Sequence, residues 1–290
     1  MAGARKRLEQ LSSQVHATST STPAVGVTCT RHEQSPGHNI ATIVFSNPSK
    51  LNVASGQLLE TLIETCQQLG KDDNLRAVVL TGAPPSRQGQ TPSFIGGADI
   101  QELNALSTAD EAKAYITRLH HACAALQNLP VPVIARVHGF ALGAGLELMA
   151  ACDLRVASRS SSFGMPEVKI GLPCVAEAAL FPGLIGVGRT KRLVYLAENI
   201  GADTALDWGL IERVVGDEKE LNQAVEEWIS TLVKMGPQSI RIQKRLMRRW
   251  ENAQNLEEAI LAGVDALGES YADGGKQAKE YIKPFLGRKR

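Results

Sequence analysis

Apolar residues in the first two thirds of the chain fall into short runs that alternate with stretches of helical spacing. The runs at 40–46 and 77–81 are rich in β-branched residues and predict buried strands. Between them, apolar residues at helical spacing predict one helix; they are Leu58, Leu59, Leu62, Ile63, Cys66 and Leu69. Further strands are predicted at 25–30, 131–137 and 153–157, a turn at 32–39 and a helix at 109–129. Strands that alternate with helices in this way predict an α/β fold.

The pattern changes after Gly171, where helical spacing dominates. Helices are predicted at 191–197, 204–208, 218–233, 237–249, 256–270 and 275–285. We therefore expect an α/β core over residues 24–200 and a helical C-terminal region over 201–290. Residues 1–23 are rich in Ser and Thr and poor in apolar residues, which predicts a flexible tail.

Composition argues against several classes of protein. The 290 residues carry 31 Lys plus Arg and 30 Asp plus Glu, a net charge of +1, which disfavours a nucleic-acid-binding protein with a basic surface. Because there is no run of about 18 apolar residues, no membrane span is predicted. The five Cys are scattered and form no Cys-x-x-Cys or Cys/His cluster, so no metal site or disulfide framework is predicted and a reducing compartment fits best.

The segment from His138 to Asp153 is the first with candidate chemistry. A predicted strand runs into glycines and then into an apolar helix, whose free N–H groups are suited to hold developing negative charge. Glu147 stands in this apolar stretch, and burial of its carboxylate would raise its pKa and suit it to acid–base chemistry. The alternative is an exposed face of an amphipathic helix or a structural ion pair.

Two further segments place acidic residues beside turns. Glu167 follows Pro166 in a loop after a short strand, and would serve either as a second acid–base group or as an ordinary first-turn residue. Gly96 and Gly97 precede Asp99, where a helix is predicted to begin. This segment is either a second site of backbone N–H donors or simply a helix start with Asp99 as its N-cap. None of these glycine runs is a dinucleotide-binding or Walker motif.

These three segments, in this order, resemble the enoyl-CoA hydratase/isomerase (crotonase) superfamily. Three further stretches at 47–52, 201–215 and 283–287 resemble other parts of that family, and the likeness extends over about residues 24–288. The resemblance implies a crotonase-like spiral of ββα repeats with a C-terminal helical trimerisation region. It also implies an acyl-CoA thioester as the substrate, a homotrimer or hexamer, and no cofactor beyond the CoA of the substrate.

The resemblance also implies roles for individual residues. The backbone N–H groups of Ala98 and Ala144 match the family's oxyanion hole, which polarises the thioester oxygen. Glu147 and Glu167 match the two carboxylates of the hydratases, one of which activates water for attack at Cβ while the other protonates Cα. The positions that match substrate- and CoA-binding residues are Lys50, Leu51, Gly96, Gly97, Asp99, Ile100, Gly143, Pro166 and Lys283. Of these, Lys50 and Lys283 are the candidates for the CoA 3′-phosphate or adenine, or are solvated surface lysines.

The sequence departs from the family pattern around the expected acyl site. Many relatives have a glycine-rich turn after the second Glu, and Val175 and Glu177 stand there instead. Glu177 is either a third carboxylate of the site or, as we slightly favour, an ordinary helix-start residue. Ala144 replaces the middle glycine of the usual turn, and the loop 83–93 is longer than usual. The sequence therefore allows two kinds of acyl group in the substrate. One is a compact or branched group of secondary metabolism, and the other is a fatty-acid chain of β-oxidation.

Two alternatives to a hydratase remain at this stage. One is a Δ3-Δ2 enoyl-CoA isomerase, which moves a proton with a single Glu. The other is a non-catalytic, RNA-binding or structural relative of the fold. A basic cluster at helical spacing motivates this second alternative and equally fits a solvated face; its members are Arg241, Lys244, Arg245, Arg248 and Arg249.

Residues 7–15, Arg-Leu-Glu-Gln-Leu-Ser-Ser-Gln-Val, resemble the amino-terminal peroxisomal signal. Val15 stands where that signal usually has Leu or Ala. The same stretch has few acidic residues and is followed by several Ser, which also fits a mitochondrial presequence. The last three residues, Arg288-Lys-Arg, are not the Ser-Lys-Leu type of signal. We predict a peroxisomal protein, with the mitochondrion and then the cytosol as alternatives.

Overall fold

A computed structural model describes residues 26–286 of the chain. Its strands are β1 (Gly26–Ser35), β2 (His38–Ser46), β3 (Leu75–Gly82), β4 (Ser93–Ile95), β5 (Val133–Val137), β6 (Phe140–Leu142), β7 (Leu154–Ser158), β8 (Ser162–Gly164), β9 (Ile200–Gly201) and β10 (Arg213–Val215). Its α-helices are α1 (Gly56–Leu69), α2 (Ile100–Ala105), α3 (Ala109–Gln127), α4 (Ala144–Ala150), α5 (Phe181–Ile185), α6 (Val187–Leu196), α7 (Ala202–Trp208), α8 (Glu218–Leu232), α9 (Pro237–Asn252), α10 (Leu256–Ser270) and α11 (Lys276–Leu286). Short 3₁₀ helices lie at Pro48–Lys50, Glu167–Ile170 and Ala176–Leu180.

Two sheets are built from a repeating unit. The larger has the strand order β1-β2-β3-β5-β7-β10 and the smaller the order β4-β6-β8-β9. Each of β3, β5 and β7 enters the larger sheet and is followed by a short strand, β4, β6 or β8, in the smaller one. The chain therefore spirals between the sheets, as the ββα repeat predicts.

The hairpin at the start of the larger sheet differs from the sequence prediction. A turn was expected over 32–39, but β1 and β2 are antiparallel and their pairing continues to Ser35 and His38. Pro36 and Gly37 alone make the turn, and Gly37 has φ +73°. The prediction was wrong because Pro-Gly suffices for a two-residue turn, so the polar residues before it stay in the strand.

Helices cover both faces of the larger sheet. On one face, α1, α3 and α4 contribute to a continuous apolar core that includes Phe45, Leu62 and Leu126. On the other face, Leu221, Val225 and Ile229 of α8 pack against residues of the sheet. The last strand of this sheet, β10, pairs with β7 and comes from the C-terminal region predicted to be helical. The predicted boundary between core and helical region at residue 200 stays a prediction.

The five residues of the basic cluster on α9 all bond to groups of the same chain. Lys244 is buried and pairs with Asp153, and Arg241 donates to the carbonyl oxygens of Asp72, Asp73 and Leu75. Arg245 pairs with Glu269, Arg249 with Asp265, and Arg248 donates to Gln127. The cluster therefore joins α9 to the core and to α10, which removes the observation that motivated an RNA-binding relative.

Candidate active site

Two glycine-containing loops meet at the end of the smaller sheet. In the first, Ala54 N–H donates to Gly97 O at 2.7 Å and Asp99 N–H donates to Ala54 O at 3.1 Å. This bridge uses the residues on both sides of Ala98, and the Ala98 N–H itself has no acceptor among the described residues. The extended turn requires Gly97, whose φ is +125°.

The second loop starts α4. Gly143 O accepts the N–H groups of Leu146 and Glu147, at 2.8 and 3.0 Å, so the first turn of the helix is closed. The Ala144 N–H comes before this turn and, over residues 26–286, finds no acceptor either. A Cβ added to Gly143 would lie 4.0 Å from Gly97 Cα, so the two loops are neighbours. The structure thus brings together the two donors predicted for the oxyanion hole, and their role there stays a prediction.

Gly143 is constrained by both its backbone and its neighbour. Its φ is +49°, in the region that favours glycine. A Cβ at this position would lie 2.5 Å from Oε1 of Glu167, closer than a real contact allows. Glu167 therefore lies directly against the loop that carries the Ala144 donor.

Glu147 lies on the first turn of α4 with 3% of its surface exposed. Its Oε1 accepts the N–H of Ala178 at 3.0 Å. Burial raises the pKa of Glu147 to about 8, although the N–H of Ala178 opposes the change, and the charges of Glu167 and Glu177 raise the pKa further. The structure excludes the alternative of an exposed face for Glu147, because the side chain is enclosed.

Glu167 begins the 3₁₀ helix Glu167–Ile170 and is half-buried. Burial raises the pKa of Glu167, while the thiol of Cys174, which donates to Oε2 at 3.3 Å, lowers it. Both carboxylates accept a hydrogen bond, so burial distinguishes them, and the more exposed Glu167 is the easier of the two to ionise. A carboxyl and a carboxylate beside two free N–H groups are the parts that proton transfer at an enolate requires.

Glu177 lies near Glu147, in the 3₁₀ helix Ala176–Leu180. It is indeed a helix-start residue, as we slightly favoured, but it is also buried, with 6% of its surface exposed. Its Oε1 lies 2.7 Å from Nδ1 of His120 on α3. The structure therefore contains three carboxylates in this region rather than two.

The predicted substrate-binding residues around the first loop lie together. Leu51 O accepts the Gly96 N–H at 2.9 Å, so the turn at 48–51 packs directly against the glycines. Lys50 Nζ lies 3.1 Å from Oδ2 of Asp99, and Asp99 caps α2 by accepting the Gln101 N–H. Burial acts to raise the pKa of Asp99, but the Gln101 N–H and the Lys50 ammonium together lower it.

The remaining predicted residues lie at different distances from the two glycine-containing loops. Ile100 is 63% exposed at the start of α2, beside Asp99. Pro166 precedes Glu167 and is half-buried. Lys283 lies exposed on α11, a helix whose hydrogen bonds reach Met235 before α9 and Ser239 in the first turn of α9. The structure shows no contact between Lys283 and the loops described here, and its role in binding CoA stays a prediction.

Two residues of the site were missed by sequence reasoning. Asn52 is 1% exposed, and its amide donates to Ala83 O and Ser93 O, both at 2.8 Å, so it ties together the segments around the first loop. The structure gives Asn52 a φ of +56°, and its residue type was the only signal in the sequence, since Asn tolerates this region better than most residues. Cys174 gave no such signal, because its contact with Glu167 depends on how the loop 171–175 folds.

No helix among residues 26–286 is long and apolar enough to cross a membrane. In the same part of the chain, no group of three or more His, Cys, Asp or Glu side chains is arranged to hold a metal ion.

Known proteins resemble this chain in sequence and in fold. The sequence model of the enoyl-CoA hydratase/isomerase family matches residues 36–286. The chain is 31% identical to the short-chain-enoyl-CoA hydratase of Clostridium acetobutylicum, over 87% of this chain and 92% of the relative. It is 30% identical to the human mitochondrial enoyl-CoA hydratase domain-containing protein 2, over 82% and 78%. The crystal structure of an enoyl-CoA hydratase from Mycobacterium smegmatis superposes with a TM-score of 0.80 at 29% identity, over 90% of this chain and 97% of that one. The fold, the two glycine loops and the paired glutamates thus lie in a chain that belongs to the enoyl-CoA hydratase/isomerase family.

Proposed function

We propose that this protein is an enoyl-CoA hydratase, which adds water across the 2,3 double bond of an acyl-CoA thioester or removes it in reverse. The observation that carries the proposal is the placement of two carboxyl groups, Glu147 and Glu167, beside two free backbone N–H groups. The activity named for the Clostridium relative supports it. The Glu147–Glu167 pair favours hydration over isomerisation, since isomerisation needs only one acid–base group.

In the proposed reaction, the thioester oxygen accepts hydrogen bonds from the N–H groups of Ala98 and Ala144. As water attacks Cβ, one carboxylate takes a proton from the water and the C=C electrons move to form the enolate, whose negative oxygen the two donors stabilise. A carboxyl group then gives its proton to Cα, and the double bond is replaced by C–OH and C–H. Burial keeps a proton on Glu147, while Glu167 is left to act as the base.

The proposed reaction needs no redox group, because water is added without any net gain or loss of electrons. CoA enters only as part of the substrate. We propose that Lys50, held near the first loop by Asp99, contacts the CoA moiety together with Leu51, Gly96 and Ile100. The metabolic setting is either fatty-acid oxidation or the use of a compact or branched acyl group in secondary metabolism, and Ala144 and Val175 favour the compact acyl groups.

The test is direct. Purified protein is incubated with short, long and branched 2-enoyl-CoA thioesters, with loss of the conjugated absorbance and gain of one water as readouts. Glu147→Gln and Glu167→Gln are each expected to lower kcat by about 100-fold or more, and Glu64→Gln, an exposed carboxylate on α1, is the control. Unchanged turnover in both variants would overturn the proposal, and a double-bond shift without added water would show an isomerase.

We also propose that the protein is a homotrimer or a hexamer of two trimers. Apolar side chains are exposed along α10 and α11, which leaves an uncovered surface; among them are Leu256, Ile260, Val264, Leu267, Phe285 and Leu286. Such a surface on a folded chain favours association with other copies. Light scattering of the purified protein measures its oligomeric state, and a monomer would contradict the proposed trimer or hexamer.

We propose a peroxisomal location, with the mitochondrion as the alternative that the human relative's name supports. The segment at 7–15 that motivates the proposal lies outside the described residues. A fusion of residues 1–25 to a fluorescent protein separates the two organelles. Loss of import after Arg7→Ala would support the peroxisomal signal, and import into mitochondria would overturn it.

A further inference from the structure

One buried oxygen near the proposed site has no partner. Glu177 is 6% exposed, and Oε2 of its carboxylate accepts no N–H or O–H donor among the described residues. Its other oxygen, Oε1, is used by His120. Buried acceptors without such a donor are rare, because burial removes their hydrogen bonds to water and no protein group replaces them. The unsatisfied Oε2 therefore needs an explanation.

The position of Glu177 suggests what the missing partner is. The next residue, Ala178, donates its N–H to Oε1 of Glu147, so the segment that carries Glu177 borders one of the two reacting carboxyls. The charge of Glu177 also acts on Glu147. The buried thiol of Cys123, a weak donor, interacts with Glu177 through both charge and a side-chain hydrogen bond, which places the carboxylate between α3 and α4. If Glu147 meets the reacting carbons, a group beside it meets the acyl chain one or two atoms further on.

The chemistry of the missing partner follows from that of the carboxylate. A carboxylate oxygen accepts hydrogen bonds, so a partner that satisfies Oε2 carries an O–H or N–H donor. A cationic amine beside Glu147 would favour the ionised form of that residue and so remove the proton that its burial retains. A neutral hydroxyl group satisfies Oε2 without this effect.

We propose that Glu177 determines acyl specificity, and that its Oε2 accepts a hydrogen bond from a hydroxyl group on the acyl chain beyond Cβ. His120 then acts as a positioning residue that holds Oε1 and turns Oε2 toward the substrate. This proposal rests on the proposed hydratase activity and names the class of its substrate, a hydroxylated 2-enoyl-CoA.

The experiment compares substrates that differ only in the hydroxyl group. Wild type and Glu177→Leu are assayed with 2-pentenoyl-CoA and with its 4-hydroxy and 5-hydroxy derivatives. We expect wild type to prefer one hydroxylated substrate by about tenfold or more in kcat/KM. In Glu177→Leu the preference should disappear, whatever the absolute turnover of 2-pentenoyl-CoA in that variant. Glu64→Leu is the matched control, an exposed carboxylate on α1.

Because each preference is a ratio measured on one protein sample, partial misfolding of a variant does not change it. If Glu177→Leu does not fold, Glu177→Ala and Glu177→Gln take its place. A wild-type ratio near one, or a ratio that Glu177→Leu leaves unchanged, overturns the inference but leaves hydration of 2-pentenoyl-CoA, and with it the proposed function, intact.

A binding measurement keeps the two proposals distinguishable. Calorimetric titration with pentanoyl-CoA and 5-hydroxypentanoyl-CoA needs no turnover. A tighter Kd for the hydroxylated ester that Glu177→Leu abolishes would support the specificity role even if no enoyl-CoA were hydrated, which would count against the hydratase alone. Equal Kd values for the two esters, together with equal kcat/KM values, would reject the role of Glu177.

Discussion

The chemistry of this site depends on the surroundings of single carboxyl groups. Glu147 and Glu167 are the same residue type, yet one is enclosed at the start of a helix and the other is half-buried beside a thiol. Enclosure disfavours the charged form, and a hydrogen-bond donor favours it. The two groups therefore differ in where they hold a proton, which is what a reaction with one acid and one base requires.

Enclosure of Glu147 should also reduce stability, and Glu147→Gln should recover it. Below its ordinary pKa of 4.5 the residue is protonated in both the folded and the unfolded protein. Between pH 4.5 and about 8 only the unfolded chain ionises, so the folded wild type loses stability as the pH rises. Gln cannot ionise and keeps an oxygen for the Ala178 N–H.

We therefore expect Glu147→Gln to be more stable than wild type by about 1–3 kcal/mol near pH 7.5. The difference should shrink toward zero near pH 4.5. Urea unfolding of both proteins at several pH values measures it. A constant difference across this range would show that ionisation of Glu147 is not its source.

Cys174 should set the acid side of the pH profile. Its thiol donates to Glu167 and, with a backbone hydrogen bond, opposes the rise in the pKa of that carboxyl that burial causes. Burial raises the pKa of the thiol itself to about 12, so that the thiol stays protonated. In Cys174→Ala the pKa of Glu167 should rise, and the fall of kcat at low pH should begin at a higher pH. Cys174→Ser retains a donor and should restore the wild-type profile. If Ala and Ser shift the profile equally, the hydrogen bond is not the cause.

At the scale of elements, short segments decide where the donors are. The first turn of α4 and the bridge between Ala54 and Ala98 leave two N–H groups with no acceptor in residues 26–286, because the neighbouring residues use the nearby carbonyls. Gly143 and Gly97 allow the two loops to approach each other. The donors are thus products of backbone geometry and not of side-chain type.

Gly143→Ala should abolish most of the activity while the fold is retained. The added methyl would lie 2.5 Å from Oε1 of Glu167 and would sit on a backbone with φ +49°. Either Glu167 or the Ala144 donor must move, and loss of one such donor lowers kcat by about 100-fold or more. Gly188→Ala, on α6 with nothing within 4 Å, is the matched control and should keep full activity. Circular dichroism checks the fold, and wild-type kcat in Gly143→Ala would contradict the geometry.

At the scale of the whole molecule, the C-terminal helices are fixed to the α/β core through charges. Lys244 of α9 is buried against Asp153, which also accepts the N–H of Val133 at the start of β5. Removal of one partner of a buried pair leaves the other without compensation. This pair therefore couples the helical region to the sheet.

We expect Lys244→Ala to lower the free energy of unfolding by about 1.5–3 kcal/mol, because it removes a charged hydrogen bond but leaves Asp153 32% exposed. Arg245→Ala, one residue further on, removes an exposed pair with Glu269 and should change stability little. Denaturant unfolding of the two variants compares them directly. Equal small effects would mean that the α9–core contact does not depend on the buried charge.

The periodicity of the sequence predicted most long elements, because burial on one helix face or along a strand leaves a repeating pattern. The helix at 256–270 has the same bounds in the structure, and the helix at 109–129 ends two residues earlier. The short strands β4, β6 and β9 were not predicted, since two or three residues carry no period, and β8 was predicted only as a short strand before Pro166. Their pairing depends on partners far along the chain.

The sequence by itself determined the α/β class, the resemblance to the family and the residues of the predicted site, because these depend on local spacing and residue type. Only the tertiary structure decided that Glu147 is enclosed, that Cys174 donates to Glu167, and that the five basic residues of α9 are used within the chain. It also revealed that Glu177 is a buried third carboxylate with one oxygen unpaired. Burial and partners are properties of contacts between distant segments, and a linear pattern does not contain them.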